Sequence, residues 1–256
     1  MRMDAGPARM QVDPRCGGRI ASLQVDGREM LVTEDTDPRG WGAYPMVPWA
    51  GRIRSGQFVW CDQTIQMPIN LAPHAIHGTV LELAWRVKDR QTLVCDLGPH
   101  WPWSGRTESR FELSPDALKW TIEVHADEES FPVVVGWHPW FRRELGPNVP
   151  VQLVLEAEQM YTKDEHGIPS GSMHAPNAGP WDDCFRGLRA NPILRWSDGF
   201  AVEVQSSCDH WVIYNEPPHA VCVEPQSGPP DAFNLGGFAV ASPGHPVQHN
   251  MVLRWS

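Results

Sequence analysis

The sequence has few stretches that are free of proline and glycine. Its 256 residues include 25 prolines and 22 glycines, which are spread along the whole chain. Proline breaks a helix interior and glycine weakens one, so a fold of long amphipathic helices is excluded. No apolar run approaches the roughly 18 residues of a membrane span. The opening segment, residues 1–7, also lacks the apolar core of a signal peptide, which predicts a cytoplasmic protein.

Disulfide-type and zinc-type cysteine spacings are missing as well. The six cysteines include no Cys-x-x-Cys pair, and six are too few to stabilise a chain of this length by disulfides, so we expect free thiols.

The chain has no excess of basic residues. Its formal net charge of -10 opposes binding to nucleic acids and to anionic membrane surfaces. A small neutral ligand is the expected partner, and the protein is expected to be a monomer or a homodimer.

In the segments that are free of proline and glycine, apolar and polar residues alternate. Between positions 118 and 125, Leu, Trp, Ile and Val alternate with Lys, Thr, Glu and His, which is the period of a half-buried strand. The same reasoning predicts strands at 57–66, 110–114, 151–161, 200–206, 211–215 and 251–255. Together they predict an all-β fold, a large antiparallel β-sandwich with little helix. No linker interrupts the pattern, so residues 1–256 are expected to form a single domain, with a long surface loop at 167–180.

Glu224 is the most conspicuous carboxylate of the chain. It lies in the apolar segment Val221-Cys222-Val223-Glu224-Pro225-Gln226. A carboxylate in such a strand is costly to bury, so we interpret Glu224 as a chemical group. The alternative is a structural ion pair with an arginine.

His138 is the histidine most suited to proton transfer, since it lies within the apolar and aromatic segment 133–141. Apolar surroundings lower the pKa of a histidine and a nearby carboxylate raises it, and the two influences together can set that pKa near neutrality. Of the aromatic residues Trp137, Trp140 and Phe141, we expect at least two to lie in the core. A tryptophan in this segment is also suited to stacking on a sugar ring.

His77 and His74 have a spacing that suits a zinc site on a helix. Pro73 and Gly78 flank them, however, and these residues predict an extended loop, which weakens the metal interpretation. His77 is therefore a candidate for a pocket that contains no metal. The alternative is a hydrogen-bonded structural histidine.

Arg52 and an aspartate pair complete the candidates. Arg52 follows Gly51 directly, and its planar guanidinium suits a hydroxyl or a developing oxyanion; the alternative is a surface salt bridge. Asp182 and Asp183 follow the predicted long loop. Adjacent residues of a strand point to opposite faces, so only one of the two is expected in a given pocket, and a turn or cap is the alternative role.

These segments, taken together and in order, resemble the motifs of the aldose 1-epimerase (galactose mutarotase) family. The resemblance extends from about residue 10 to the C-terminus. Gly51 stands where asparagine is usual before the arginine, Trp140 stands where tyrosine is usual, and Thr79 follows the His-Gly motif. The segments that carry the resemblance are PWAGRI at 48–53, HG at 77–78, WHPWF at 137–141, DDCF at 182–185 and VEPQ at 223–226.

The resemblance implies a β-supersandwich fold, a monosaccharide substrate and no metal or organic cofactor. It implies general acid-base chemistry that opens and closes the hemiacetal ring, with Glu224 as the base, His138 as the acid and His77 in support. It further implies substrate binding by Arg52, Asp182, Trp140 and Gln226; we choose Asp182 over Asp183 because its spacing to the following phenylalanine fits the family.

Three alternatives remain open from the sequence. A hexose-6-phosphate 1-epimerase would need additional cations, for which Arg142 and Arg143 are candidates. A non-catalytic carbohydrate-binding or sensor protein could share the fold, because a fold does not fix a function. An unrelated metal-dependent β-sandwich enzyme is the third.

Overall fold

The computed structural model describes all 256 residues as a chain of short antiparallel strands. The first thirteen strands are β1 (Arg2–Ala5), β2 (Ala8–Asp13), β3 (Arg19–Val25), β4 (Arg28–Glu29), β5 (Ala43–Met46), β6 (Arg52–Ile53), β7 (Gln57–Trp60), β8 (Gln63–Gln66), β9 (Ala75–Ile76), β10 (Arg86–Val87), β11 (Thr92–Asp96), β12 (Gly105–Leu113) and β13 (Ala117–Ala126). The remaining strands are β14 (Phe131–Val133), β15 (Gly136–Arg142), β16 (Val151–Val154), β17 (Ala157–Lys163), β18 (Pro169–His174), β19 (Asp182–Leu188), β20 (Ile193–Trp196), β21 (Ala201–Ser206), β22 (His210–Tyr214), β23 (Ala220–Gln226), β24 (Ala239–Ala241) and β25 (Val247–Trp255). A 3-10 turn (Arg54–Gly56) and one short helix, α1 (Ala232–Leu235), complete the secondary structure, and no helix is long and apolar enough to cross a membrane.

Two large sheets dominate the fold. The larger has eleven strands in the order β1-β2-β3-β5-β15-β23-β22-β19-β17-β18, with β4 attached to β3. The second has eight strands in the order β10-β11-β12-β13-β25-β21-β20-β16. The two sheets share one core of 59 buried residues, in which Trp120 of β13 meets Trp137 of β15 edge to face at 6.5 Å. The prediction of a large antiparallel β-sandwich is confirmed.

Strands β15 and β23 lie side by side in the middle of the larger sheet and are buried on both faces. Six of the seven residues of β15 and all seven of β23 are buried. Burial on both faces explains why these two segments are almost continuously apolar in sequence. Because side chains alternate across a strand, Trp137 faces the core while His138 faces the opposite side of the sheet.

Several predicted strands are present, while three segments differ from prediction. Residues 57–66 form the hairpin β7–β8, because Cys61 and Asp62 adopt positive φ values of 49° and 61°, as a tight two-residue turn requires. Residues 151–161 divide into β16 and β17, which belong to different sheets. The predicted loop at 167–180 contains the edge strand β18, which pairs with β17. A local pattern cannot show where a chain passes from one sheet to the other.

All six cysteines are free thiols, as expected. Four of them are buried, and the other two are partly or fully exposed. Burial raises the pKa of the Cys95 and Cys208 thiols to about 12. These thiols are therefore neutral and pack as small apolar residues.

Candidate active site

The face of the larger sheet opposite Trp137 lines a cavity of about 390 Å³. This volume suits a small molecule. All the catalytic and substrate-binding residues that the family resemblance implies border it, together with two tyrosines: Tyr44, Arg52, His77, His138, Trp140, Asp182, Tyr214, Glu224 and Gln226. Residues that are up to 182 positions apart in sequence, Tyr44 and Gln226, thus meet in one place.

His138 and Glu224 form a buried pair at the floor of this cavity. The register that places Gly136 opposite Gln226 and Trp140 opposite Cys222 also places His138 opposite Glu224. The His138 Nε2 and Glu224 Oε1 atoms are 3.2 Å apart, and the two side chains are only 7% and 2% exposed. The partner of Glu224 is therefore a histidine, and not the arginine of a structural ion pair.

Burial shifts the pKa values of the two groups in opposite directions. It raises the pKa of Glu224 well above 4.5, and the nearby carboxylate of Asp182 raises it further. It lowers the pKa of His138 from 6.5 to about 3. The expectation of a His138 pKa near neutrality is wrong, because desolvation by burial dominates the shift. Both shifts favour a neutral pair that holds one proton.

Two aromatic rings stack on His138. Tyr44, its cross-strand neighbour on β5, has its ring centroid 4.9 Å from that of the imidazole. The Trp140 ring lies at 5.2 Å and is nearly parallel. These stacks fix the plane of the imidazole. Trp137 and Phe141 are fully buried in the core, as expected for two of the three aromatic residues.

His77 reaches the pair because a glycine follows it. Gly78 has a φ of 80°, and a Cβ at this position would lie 1.9 Å from the carbonyl oxygen of Val47, so no other residue fits here. The His77 and His138 rings lie edge to face at 5.1 Å. Burial, with smaller contributions from His138 and Arg52, lowers the pKa of His77 well below 6.5. His77 is thus neutral; the expected extended conformation is seen in β9, which precedes it, whereas His77 itself has a positive φ of 60°.

Arg52 and Asp182 form an ion pair that borders the cavity. The Arg52 Nη2 and Asp182 Oδ2 atoms are 3.6 Å apart, and each side chain is about one-third exposed. Asp183 forms a separate ion pair with Lys163 at 2.9 Å. Both aspartates border the cavity, so the expectation that only one would do so is wrong: they are the first two residues of β19, where the strand begins at the cavity rim.

Comparison with known proteins places this arrangement in a family. The family model described as aldose 1-epimerase matches residues 6–254. The chain belongs to the aldose 1-epimerase family. Membership indicates an enzyme of the carbohydrate epimerase class.

Individual relatives are distant in sequence. The uncharacterized protein YphB of Escherichia coli (strain K12) is 26% identical over 242 residues, which cover 82% of each chain. A galactose mutarotase-like protein from Clostridium acetobutylicum superposes with a TM-score of 0.89 at 20% identity, covering 100% of this chain and 94% of that one. The galactose 1-epimerase from Lactobacillus acidophilus NCFM superposes with a TM-score of 0.78 at 17% identity, covering 99% and 92% of the two chains. These structural likenesses establish the galactose mutarotase-like fold.

Sequence reasoning missed several cavity residues of this epimerase-family chain. Tyr44 and Tyr214 are two of only three tyrosines in the sequence, and this scarcity was a signal that could have found them. Lys163 and the acidic loop before β5, which contributes Asp35, Asp37 and Arg39, gave no comparable signal, because charged loops are usually solvated surface.

Each basic side chain on the cavity is paired with a carboxylate. The pairs are Arg39 with Asp37 at 2.8 Å, Arg52 with Asp182 at 3.6 Å and Lys163 with Asp183 at 2.9 Å. Asp35 and Glu216 also border the cavity, and neither forms an ion pair. The candidate phosphate-binding residues Arg142 and Arg143 line a different cavity, and Arg143 donates hydrogen bonds to the carbonyl groups of Asn215 and Pro217.

Cys222 lies close to the buried pair. One potential ligand atom from each of His138, Cys222 and Glu224 falls within 4.8 Å of the others. The contact between His138 and Glu224 is that of a buried ion or hydrogen-bonded pair, with the thiol of Cys222 beside it.

Proposed function

We propose that this protein is an aldose 1-epimerase that interconverts the α and β anomers of a free, unphosphorylated aldose. One observation carries the proposal. A histidine and a glutamate lie 3.2 Å apart, almost completely buried, on the floor of a cavity with room for a small sugar. Every group that the reaction uses comes from one chain.

In this mechanism Glu224 takes the proton of the C1 hydroxyl while His138 gives a proton to the ring oxygen. The C1 carbonyl forms as the bond from C1 to the ring oxygen breaks, so the sugar opens to the aldehyde. Rotation about the C1–C2 bond presents the other face of the carbonyl. The same two groups then run the steps backwards and close the ring as the other anomer.

The number of protons on the pair does not change during ring opening. Ring opening starts from the less favoured arrangement, in which an ionised Glu224 faces a protonated His138; after it, the proton is on Glu224 and both groups are neutral. Burial favours the neutral arrangement, since it raises the pKa of Glu224 and lowers that of His138. The low-dielectric floor thus favours proton transfer toward the open-chain stage.

The remaining cavity residues suit a ligand rich in hydroxyl groups. The Nδ1 atom of His77 and the Oε1 atom of Gln226 are buried and have no hydrogen-bond partner in the protein, and such groups are normally satisfied. Arg52 and Asp182 supply a donor and an acceptor. In this proposal Trp140 adds an apolar wall, where the C–H face of a sugar ring packs.

The charge of the cavity favours free sugars over hexose 6-phosphates. A phosphate dianion needs unpaired cations, but Arg39, Arg52 and Lys163 are each paired with a carboxylate. The carboxylates of Asp35 and Glu216 would in addition repel it. This supports the free aldose over the phosphorylated alternative.

Polarimetry of freshly dissolved α-galactose and α-glucose tests the function. We expect the protein to accelerate mutarotation of at least one free aldose, and to turn over the corresponding 6-phosphate at least about 100-fold less efficiently, which two lost charge-assisted contacts would explain. Faster turnover of the phosphate would support the hexose-6-phosphate alternative. Sugar binding without any acceleration would support the non-catalytic one.

Asp182→Asn is expected to raise the KM for the sugar by roughly 10-fold and to leave kcat within a few-fold, because it weakens one charge-assisted hydrogen bond to a hydroxyl. Initial rates across sugar concentrations measure both constants. Asp183→Asn is the matched control, since this carboxylate is engaged with Lys163, and its KM should change less. Equal effects of the two substitutions would contradict the choice of Asp182 as the sugar ligand.

A further inference from the structure

Arg19 is a fully buried cation outside the cavity lining. It is 0% exposed, at the first position of β3. Its Nε atom donates to the Cys16 carbonyl at 3.1 Å and its Nη1 atom to the Trp41 carbonyl at 3.0 Å, while Nη2 has no partner. No carboxylate forms an ion pair with it. Burying an uncompensated charge is costly, so this arginine calls for an explanation.

The Arg19 guanidinium connects to the catalytic pair through aromatic rings. Its central carbon lies 4.1 Å from the centre of the Trp41 ring and 5.3 Å from that of Tyr44. Tyr44 in turn stacks on His138, and its hydroxyl donates to the Arg39 carbonyl at 3.1 Å. The tyrosine ring is therefore held between a permanent cation and the imidazole.

We propose that Arg19 is a positioning residue that acts across Tyr44 to set the charge state of the His138–Glu224 pair. The inference rests on the proposed function. A cation behind Tyr44 disfavours a proton on His138 and stabilises the carboxylate form of Glu224. It also holds Tyr44 flat against the imidazole through a cation–π contact.

Other groups around the pair do not supply this charge. The titratable and charged groups that face it from the neighbouring elements are Tyr44 on β5, Arg52 on β6, His77 after β9, Asp182 and Cys184 on β19, Cys222 on β23, and Arg39 from the loop before β5. Arg52 and Arg39 are balanced by Asp182 and Asp37. Burial raises the pKa of the thiols and of Tyr44 and lowers that of His77, so these groups are neutral. Arg19 is the remaining charge: Asp13, its cross-strand neighbour on β2, is partly exposed, pairs with Arg15 and forms no ion pair with Arg19.

The test compares Arg19→Gln and Arg19→Met, which remove the charge, with Arg19→Lys, which keeps it. Loss of a nearby cation makes protonation easier, so the pKa values of His138 and Glu224 rise. The acidic and the basic limb of the pH profile of kcat/KM therefore both move to higher pH. A separation of roughly 10 Å and an effective dielectric constant of about 20 give a shift of about one pH unit. The lysine variant should retain the wild-type limbs.

A purely structural role would lower the rate without moving the limbs. Unshifted limbs in the glutamine and methionine variants therefore overturn the inference, as does an equal shift in the lysine variant. The glutamine variant keeps side-chain donors for the carbonyls, so it serves if the methionine variant fails to fold.

A titration without substrate separates this inference from the proposed function. Nitrogen NMR of the His138 ring should show a higher pKa in the neutral variants than in the wild type, whether or not any sugar is turned over. An inactive wild type would reject the epimerase proposal alone. An unchanged His138 titration would reject the role of Arg19 alone.

Discussion

Glu224→Gln is expected to reduce the mutarotation of a free aldose by roughly 1000-fold while sugar binding is nearly retained. Glutamine has the shape of glutamate and can still hydrogen-bond to the C1 hydroxyl, but it cannot accept the hydroxyl proton. The loss should therefore fall on kcat, and KM should stay within a few-fold. Polarimetry measures the rate, and calorimetric titration with the sugar measures binding.

The same substitution should not destabilise the fold. Burial raises the pKa of Glu224 well above its usual value, which means that the ionised carboxylate is costly to keep in this site. Replacing it with a neutral isostere is expected to leave the free energy of unfolding unchanged or to increase it by about 1 kcal/mol. A denaturant midpoint at or above that of the wild type would show that lost activity is not lost folding.

Glu216→Gln is the matched control for this prediction. Glu216 borders the same cavity but is exposed, so its removal should change the rate by less than about two-fold. If Glu224→Gln retained the wild-type rate, the proton acceptor would be another group and the proposed mechanism would be wrong.

The position of the candidate site could be predicted because its two central strands are unusual in sequence. The segments 133–141 and 221–226 are apolar runs in which His138 and Glu224 stand out against the background. Because both strands are buried on both faces, an apolar run is the direct signature of their location. The resemblance to the family motifs then indicated that His138 and Glu224 act together.

Other features depend on contacts that no local pattern contains. Tyr44 meets His138 only because β5 pairs with β15, more than 90 positions away along the chain. The division of 151–161 between two sheets is likewise set by distant partners. The charge state of the pair depends on the depth of burial, which a sequence gives only as a tendency, and this is why the expectation for His138 was wrong.

Gly51 shows how the structure explains a departure from the family motif. The usual residue before the arginine is an asparagine, but here a Cβ at position 51 would lie 2.7 Å from the Cβ of Pro230. Both residues border the cavity. Pro230 therefore occupies the space that a side chain at position 51 would need, and it replaces a polar group with an apolar wall at this point.

His138→Asn is expected to lower kcat by roughly 100-fold or more, because asparagine cannot deliver a proton to the ring oxygen. The substitution also empties part of the space beside Tyr44 and Trp140, so thermal unfolding must be measured beside the rate. His219→Asn is the matched control, since His219 is exposed and stacks at 6.1 Å on Trp140. Its rate should stay close to that of the wild type.

The double variant His138→Asn, Glu224→Gln gives the sharper test. If the two groups transfer protons as one unit, then removing the second group costs little once the first is gone, and the double variant should be about as slow as the slower single variant. Independent roles would instead multiply the two losses. A multiplied loss would contradict the shared proton that the 3.2 Å contact between His138 and Glu224 indicates, and it would require the acid and the base to act at separate points of the cavity.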